Sequence, residues 1–205
     1  MTEALSMTRA WGAALPAGAD SPRTASPEAL LLAGCRAGAR ESFEELYRLH
    51  GARMKSVAAH VLGDRAEAED AVQDAFVNIF RSAAGFEGRS RFSTWIYRVV
   101  VNACHDRLRR RKETVALDAP GGAETFAAAR TGDPALRVAL EKGIGSLPER
   151  QRSAFVLFAV EGFSHREIAD ILGVSVGGSK TLVFEAKRRL ARLLGRRNPK
   201  PEAAS

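Results

Sequence analysis

Phe163-Ser164-His165-Arg166-Glu167-Ile168-Ala169-Asp170-Ile171-Leu172-Gly173-Val174-Ser175-Val176-Gly177 is the stretch from which the fold is best read. It spells a short amphipathic helix, a tight turn at glycine, and the start of a second helix that becomes strongly basic. That is the layout of a helix-turn-helix, whose second helix lies in the DNA major groove and exposes a few side chains to base edges. The chain therefore carries a concrete device for touching duplex DNA.

The second helix of this unit divides cleanly on a helical wheel. Val176, Ser179, Val183, Ala186, Leu190, Leu193 and Leu194 fall on one side and are expected to face the core. Gly177, Thr181, Phe184, Glu185 and Arg188 fall on the other, with Lys180 and Lys187 on one shoulder and Leu182 on the opposite one. Lys180, Lys187, Arg189, Arg192, Arg196 and Arg197 are spaced for phosphates, which add affinity without sequence information. A basic solvated helix that binds nothing is the plainer alternative. The turn and the preceding helix argue against it.

Moving outward, the 205 residues leave room for one large or two small domains. Aromatics are few, and Ala, Leu, Val and Arg dominate, a palette that suits helices with modest cores. An excess of Lys and Arg gives +7, which fits a polyanionic partner or, equally, an acidic membrane surface. Cys35 and Cys104 are far apart and form no CxxC pattern, so reduced thiols are expected rather than a disulfide. Cys104-His105 lacks a second ligand pair, and no metal site is expected. No apolar run approaches the roughly 20 residues of a membrane span, and the N-terminus has no secretory signal pattern. The reading is a soluble, cytoplasmic protein with no membrane insertion.

Residues 1–26 are rich in Ala, Gly, Ser, Thr and Pro, and read as a flexible tail in which Met7 is an alternative start. Ser26-Pro27-Glu28 gives an N-cap followed by proline at the first helical position. From 27 to 112 the pattern is helical almost throughout. Phe43, Leu46, Tyr47, Met54, Val57 and Ala58 mark one apolar face, and Gly63-Asp64 ends it. Val72, Ala75, Phe76, Ile79 and Phe80 mark the next, and Phe92, Trp95, Ile96, Val99 and Ala103 a third. Residues 113–133 lose the periodicity and contain Pro120-Gly121-Gly122 and Gly132-Asp133-Pro134, a flexible or extended linker. A second helical domain runs over 134–197, and 198–205 form a polar tail. The expected fold is all-α: two small helical domains joined by a flexible linker.

Two further clusters carry charge. Arg107-Leu108-Arg109-Arg110-Arg111-Lys112 ends a helix whose entry loop holds Phe86, Arg89, Arg91, Phe92 and Trp95. Such a run complements the helix macrodipole, while arginines interleaved with aromatics can hold unpaired bases at about 1–3 kcal/mol per base. Composition alone favours core packing for Phe92 and Trp95. Glu67, Asp70 and Asp74, with Gln73 beside them, form an acidic stripe that either solubilises the chain or docks a basic protein surface.

With these segments in view, the chain resembles the extracytoplasmic-function (ECF) subfamily of sigma-70-type RNA polymerase sigma factors. Glu69-Asp70-Ala71-Val72-Gln73-Asp74-Ala75-Phe76, the run from Phe86-Glu87-Gly88-Arg89-Ser90-Arg91-Phe92 through Trp95-Ile96-Tyr97-Arg98-Val99, and then Asn102 and Asp106 are similar to region 2 of that family. Leu147-Pro148-Glu149-Arg150-Gln151-Arg152 and the helix-turn-helix resemble region 4. The likeness covers about 27–112 and 134–196. It implies that Glu67, Asp70, Gln73 and Asp74 grip core RNA polymerase. It implies that Phe86, Arg89, Ser90, Arg91, Phe92, Trp95, Arg98 and Asn102 capture and open the −10 element of promoter DNA, with Trp95 either contacting DNA or purely structural. It implies that Lys180, Thr181, Phe184, Glu185 and Arg188 read the −35 element, and that an anti-sigma factor is a further partner.

The last helix departs from the family pattern. Gly178, Ser179, Lys180, Thr181 and Leu182 replace the usual run, and Glu185 stands where arginine is common. Ser179 puts a hydroxyl at a core position, which is expected to loosen the helix start. Leu182 removes a phosphate contact. Glu185 repels phosphate but can accept from a cytosine amino group. Gly143 and Gly145 weaken the helix before Leu147 by about 1 kcal/mol each. Weaker or altered −35 readout is the expectation. Two other readings remain: a stand-alone helix-turn-helix regulator, which has no need of the region 2 motifs, and a degenerate sigma-like protein that occupies polymerase without initiating. An enzyme is disfavoured, because His50, His60, His105 and His165 form no motif with a nucleophile or metal ligands. No cofactor and no small-molecule substrate are expected.

Overall fold

The computed structural model describes residues 26–115 and 134–195. Among them every regular element is helical: α1 (Pro27–Arg36), α2 (Arg40–Leu62), α3 (Arg65–Ser82), α4 (Phe92–Val115), α5 (Pro134–Gly145), α6 (Glu149–Phe155), α7 (His165–Leu172) and α8 (Val176–Gly195). A 3₁₀ turn, Ala83–Gly85, follows α3, and a π-helical turn, Val156–Val160, extends α6. The linker expectation falls mainly on residues outside this set, as do the tail readings; α4 runs on to Val115, past the boundary at 112.

Local chemistry sets the ends of these helices. Ser26 accepts from the Ala29 amide, with Pro27 at the first helical position. Gly63 closes α2 at φ 74°, and Asp64 at once caps α3 through the Glu67 amide at 2.9 Å. α7 opens with a reciprocal capping box: Ser164 takes the Glu167 amide, and the Glu167 carboxylate takes the Ser164 amide at 2.9 Å. This box satisfies two of the amide donors that a helix start leaves open. Gly173 ends α7 at φ 64°, a left-handed conformation that disfavours any residue with a Cβ.

The packing is less divided than the sequence pattern suggests. Helices α1–α4 form one group and α5–α8 another, but a single buried cluster runs through both. Leu46, Met54, Ile79, Ile96 and Val100 from the first group join Leu157, Phe163, Ile168, Ile171 and Val183 from the second. Ile144, Leu147, Val156, Ala186 and Leu190 make a smaller core between α5, α6 and α8. α4 packs on α2 and α3 and, on another side, against α7.

Several apolar positions sit differently from their helical-wheel placing. Tyr47, Phe80, Val176 and Leu193, expected in apolar faces, are exposed. Tyr47 and Phe80 still touch a ring of the neighbouring helix, Phe76 at 5.2 Å and Phe43 at 4.8 Å, with their outer faces left to solvent, while Val176 and Leu193 lie at the two ends of α8. Gly143 gains a packing reason: a Cβ there would sit 2.9 Å from Leu190 Cδ2, so the glycine lets α5 approach α8.

Replacing Gly173 by Ala should destabilise the protein by about 1–2 kcal/mol, from the left-handed backbone alone. Thermal or denaturant unfolding of the full chain checks this. An unchanged midpoint would show that the turn can relax to a right-handed form.

Candidate nucleic-acid interface

The outward face of α8 is built as the periodicity requires. Val183, Ala186 and Leu190 are buried, while Lys180, Thr181, Phe184, Glu185 and Arg188 are exposed together. Phe184 is 62% exposed, a large apolar ring offered to solvent in the middle of a basic helix. Such a ring suits a thymine methyl group. Thr181 returns its hydroxyl to the Gly177 carbonyl at 3.1 Å. Glu185 accepts from Gln151 Nε2 at 2.8 Å, tying the face to α6. Lys187 lies over the Phe158 ring, 4.5 Å from its centroid; Arg196 and Arg197 lie outside the described residues.

Two apparent departures are compensated by packing. Ser179 is fully buried, and its hydroxyl meets His165 Nδ1 at 3.0 Å, so the start of α8 is bound to the start of α7 rather than loosened. A buried hydroxyl with a partner carries little penalty. Leu182 is half-buried against the main core. Its side chain is used for packing.

The loop before α4 rests on an aromatic cluster. Phe86 and Phe92 are buried, 7% and 3% exposed, with ring centroids 5.6 Å apart. Trp95 is half-buried and stacks on Phe92 at 5.6 Å with the planes 16° apart. Composition pointed to core packing for Phe92 and Trp95, and all three rings do support the loop. In this conformation Phe86 and Phe92 offer no open face to a base. Gly88 turns the loop tip at φ 75°. Arg89 pairs with Glu87 at 2.6 Å, Ser90 Oγ donates to the Arg91 carbonyl at 3.3 Å, and Asn102 is exposed. Arg91 and Arg98 turn toward α7: Arg91 comes within 3.8 Å of Glu167, and Arg98 Nε donates to the Asp170 carbonyl at 2.7 Å.

The acidic stripe has an internal partner. Arg107, from the basic end of α4, reaches Asp74 at 2.8 Å and Asp70 at 3.4 Å. Glu67 is half-buried at the start of α3, while Asp70, Gln73 and Asp74 are exposed. Two further cations of the 107–112 run are also engaged, Arg109 with Asp106 and Lys112 with Glu149 at 2.7 Å. Much of the run is thus held in ion pairs with neighbouring helices or its own turn. No group of three or more potential metal-ligating side chains occurs among the described residues. No helix there is long and apolar enough to cross a membrane.

The family model described as "Sigma-70 region 2" matches residues 46–114, and that described as "Sigma-70, region 4" matches residues 137–190. The ECF RNA polymerase sigma factor SigM of Mycobacterium tuberculosis is 37% identical over 171 residues, 82% of this chain and 85% of the relative. The chain belongs to the ECF sigma factors of the sigma-70 family. SigW of Bacillus subtilis, another ECF sigma factor, is 30% identical over 170 residues, 77% of this chain and 91% of that one. Among solved structures, the sigma factor RpoE of Bartonella quintana, crystallised with the anti-sigma factor NepR, superposes with a TM-score of 0.65. It is 26% identical and covers 76% of this chain and 98% of its own. CnrH, in complex with the cytosolic domain of CnrY, superposes with a TM-score of 0.63 at 25% identity, over 82% of this chain and 97% of its own. As a sigma factor the chain binds core RNA polymerase and directs promoter-specific transcription initiation.

Sequence reasoning missed the side chains that join the two halves: Arg53, Ser56, Tyr97, His105, Arg152 and Glu161. Their partners lie about a hundred residues apart in several cases, such as Arg53 with Glu161 at 2.8 Å, and no periodicity reports such pairs. His105 is one of these: its Nε2 lies 2.8 Å from Ser153 Oγ. Burial lowers its pKa first of all, with Arg150 and Lys112 acting in the same direction and Glu149 and Asp106 opposing. The folded protein therefore holds His105 neutral, while the unfolded chain takes up a proton as pH falls through the ordinary histidine range near about 6.5. The stability tied to it is complete above that range and is lost as pH falls through the lowered folded value. His50, also lowered by burial, acts in the same sense. The denaturation midpoint should fall between about pH 7.5 and about pH 5.5, and His105→Gln should make that fall shallower. Parallel denaturant titrations at the two pH values measure both; equal slopes would remove His105 from the account.

Proposed function

We propose that three separate surfaces of this ECF sigma factor divide the work of initiation. The stripe Glu67, Asp70, Gln73 and Asp74 on α3 docks on a basic surface of core polymerase. The loop from Phe86 to Phe92 and the exposed side of α4, with Trp95, Arg98 and Asn102, address the −10 element and hold its opened strand. The α8 face of Lys180, Thr181, Phe184, Glu185 and Arg188 reads −35 DNA in the major groove. The observation that carries this is the α8 face, exposed beside a fully capped α7 and a left-handed Gly173 turn. The protein itself performs no chemistry, since polymerase supplies the active site, and it works in the cytoplasm. An anti-sigma factor is a further partner, as the solved relative RpoE is bound to the anti-sigma factor NepR.

Transcription by purified protein with core polymerase on a genomic promoter library tests the whole reading. Specific transcripts support it. Core binding without transcripts indicates a protein that only occupies polymerase, and duplex binding without core association indicates a stand-alone regulator.

Two sets of substitutions separate the surfaces. Asp70→Arg with Asp74→Arg should abolish association with core polymerase in a pull-down or interferometry assay while leaving the helical signal intact. Unchanged association sinks the assignment of the stripe. On α8, Lys180→Ala should weaken holoenzyme binding uniformly across promoters and lower the salt slope by about 1. Glu185→Gln should instead change preference at a single −35 position, by about 1–3 kcal/mol. Identical promoter profiles for the wild type and Glu185→Gln would remove Glu185 from readout and leave it as a tether to Gln151.

A further inference from the structure

Glu185 stands on the outward face of α8, yet its bonding is not that of an ordinary surface charge. Arg188 and Arg189 follow it at i+3 and i+4, the spacing at which helical ion pairs form. Among the described residues its carboxylate is bonded to neither. Its partner is neutral and comes from another helix: Gln151 Nε2 donates to Glu185 Oε2 at 2.8 Å. Gln151 is half-buried on α6, and its Oε1 is buried with no donor among the described residues. A carboxylate only accepts, so turning the amide over would set oxygen against oxygen. Glu185 therefore dictates how the amide lies, even though a buried acceptor is left unpaired, which folded proteins ordinarily avoid.

The platform under Gln151 is fixed. α6 packs against α8, with Ala154 of the one and Ala186 of the other fully buried. Arg152, next to Gln151, donates to the Leu147 carbonyl at 3.2 Å, and Ser153 Oγ donates to the Glu149 carbonyl at 3.0 Å. A neutral donor on such a platform holds the carboxylate in place without cancelling its charge. An arginine would hold it too, but would neutralise it and occupy its lone pairs. Glu185 thus keeps Oε1 and a full negative charge for whatever approaches α8. On the major-groove edge only adenine N6 and cytosine N4 donate. Adenine carries the N7 acceptor beside its amino group, whereas cytosine carries no acceptor of its own there. A carboxylate that cannot swing aside is repelled by that N7, while a mobile one tolerates it.

We infer that Gln151 is a specificity-determining residue for the −35 element: by fixing Glu185 it restricts one base position to cytosine. It is a positioning residue, acting through Glu185 and not on the base. The inference rests on the reading of α8 as the helix that enters the −35 major groove. It also joins two observations that are otherwise separate, an acceptor at position 185 and an amide on α6 turned toward it at the expense of its own oxygen.

The test uses holoenzyme assembled from the full chain and core polymerase, on a transcribed genomic promoter whose −35 element has been randomised. Sequencing the transcribed templates should show one position enriched in cytosine over adenine, an enrichment that Glu185→Ala removes. Gln151→Met keeps the length of the side chain but offers no donor. It should cut that cytosine-to-adenine ratio about 5-fold or more, the scale of a single base contact, and leave the other positions as in wild type. In the Glu185→Ala background the same change should have no further effect. Gln151→Glu, which faces Glu185 with a second carboxylate, should lower the ratio at least as far. Circular dichroism accompanies each variant, and Gln151→Glu decides if Gln151→Met does not fold. A ratio unchanged in the folded Gln151 variants would overturn the inference and leave Glu185 as a reader in its own right. Equal losses with and without Glu185, or losses spread over all positions, would make Gln151 a structural support of α6 and overturn it as well. A profile with no cytosine position sensitive to Glu185→Ala would fault the assignment of Glu185 to readout, and the inference would fall with it.

Discussion

α4 has to be three things at once, and the rest of the structure follows from how it divides its surface. Phe92, Ile96, Val100 and Cys104 are buried, supplying a face to the core it shares with α2 and α3. Tyr97 is fully buried and touches Phe163 from the other half. What remains for nucleic acid is a narrow strip containing Arg98 and Asn102, of which only Asn102 is freely exposed. A helix packed on so many sides cannot move without disturbing both halves. It is a rigid platform, which is what a loop that positions unpaired bases needs.

The burial at that platform has electrostatic consequences. Tyr97 is pushed up to about 12 and Cys104 likewise to about 12, both mainly by burial. Neither group ionises in the physiological range. Arg53 and Glu161 pair with each other, while Arg98 and Arg152 bond backbone carbonyls. Glu161 is the most enclosed of the carboxylates in the ion pairs described, and it directly follows the π turn, where one extra residue per turn shifts the side-chain register. Such turns are frequent at functional positions. The local defect in α6 is thus part of how the interdomain contact is made.

Much of this was legible in the chain. The cap at Ser26, the Gly63 and Gly173 stops, and the inward series Val183, Ala186 and Leu190 follow from local rules, because each depends on neighbours within one turn. The outward α8 face was legible for the same reason. Pairings across more than about a hundred residues were not. Ser179 looked like a defect because its partner, His165, lies in the preceding helix; Leu182 looked like a lost cation because the surface it covers is tertiary. For Phe92, composition favoured core packing while the resemblance implied base capture; its burial is set by α4 and by the Trp95 ring stacked on it, which the spacing alone does not report. The junction around Arg53 and Glu161 left no local trace at all.

Arg107 sharpens what docking of the acidic stripe would involve. Exposed ion pairs contribute little, about 0–1 kcal/mol, and Asp70 and Asp74 are each more than half exposed. A basic surface approaching these carboxylates therefore displaces or shares an arginine whose loss is nearly neutral in free energy. The exchange gives little net affinity from charge. It gives orientation and partner choice, since a neutral or acidic surface would find no use for two carboxylates already held by Arg107. The affinity then has to come from apolar area beside the stripe. Val77 and Phe80 on the same helix, 47% and 58% exposed, would be the side chains to supply it. The placement of these two side chains next to a pre-neutralised acidic pair suits a surface that stays tolerable in water while it waits for a large basic partner.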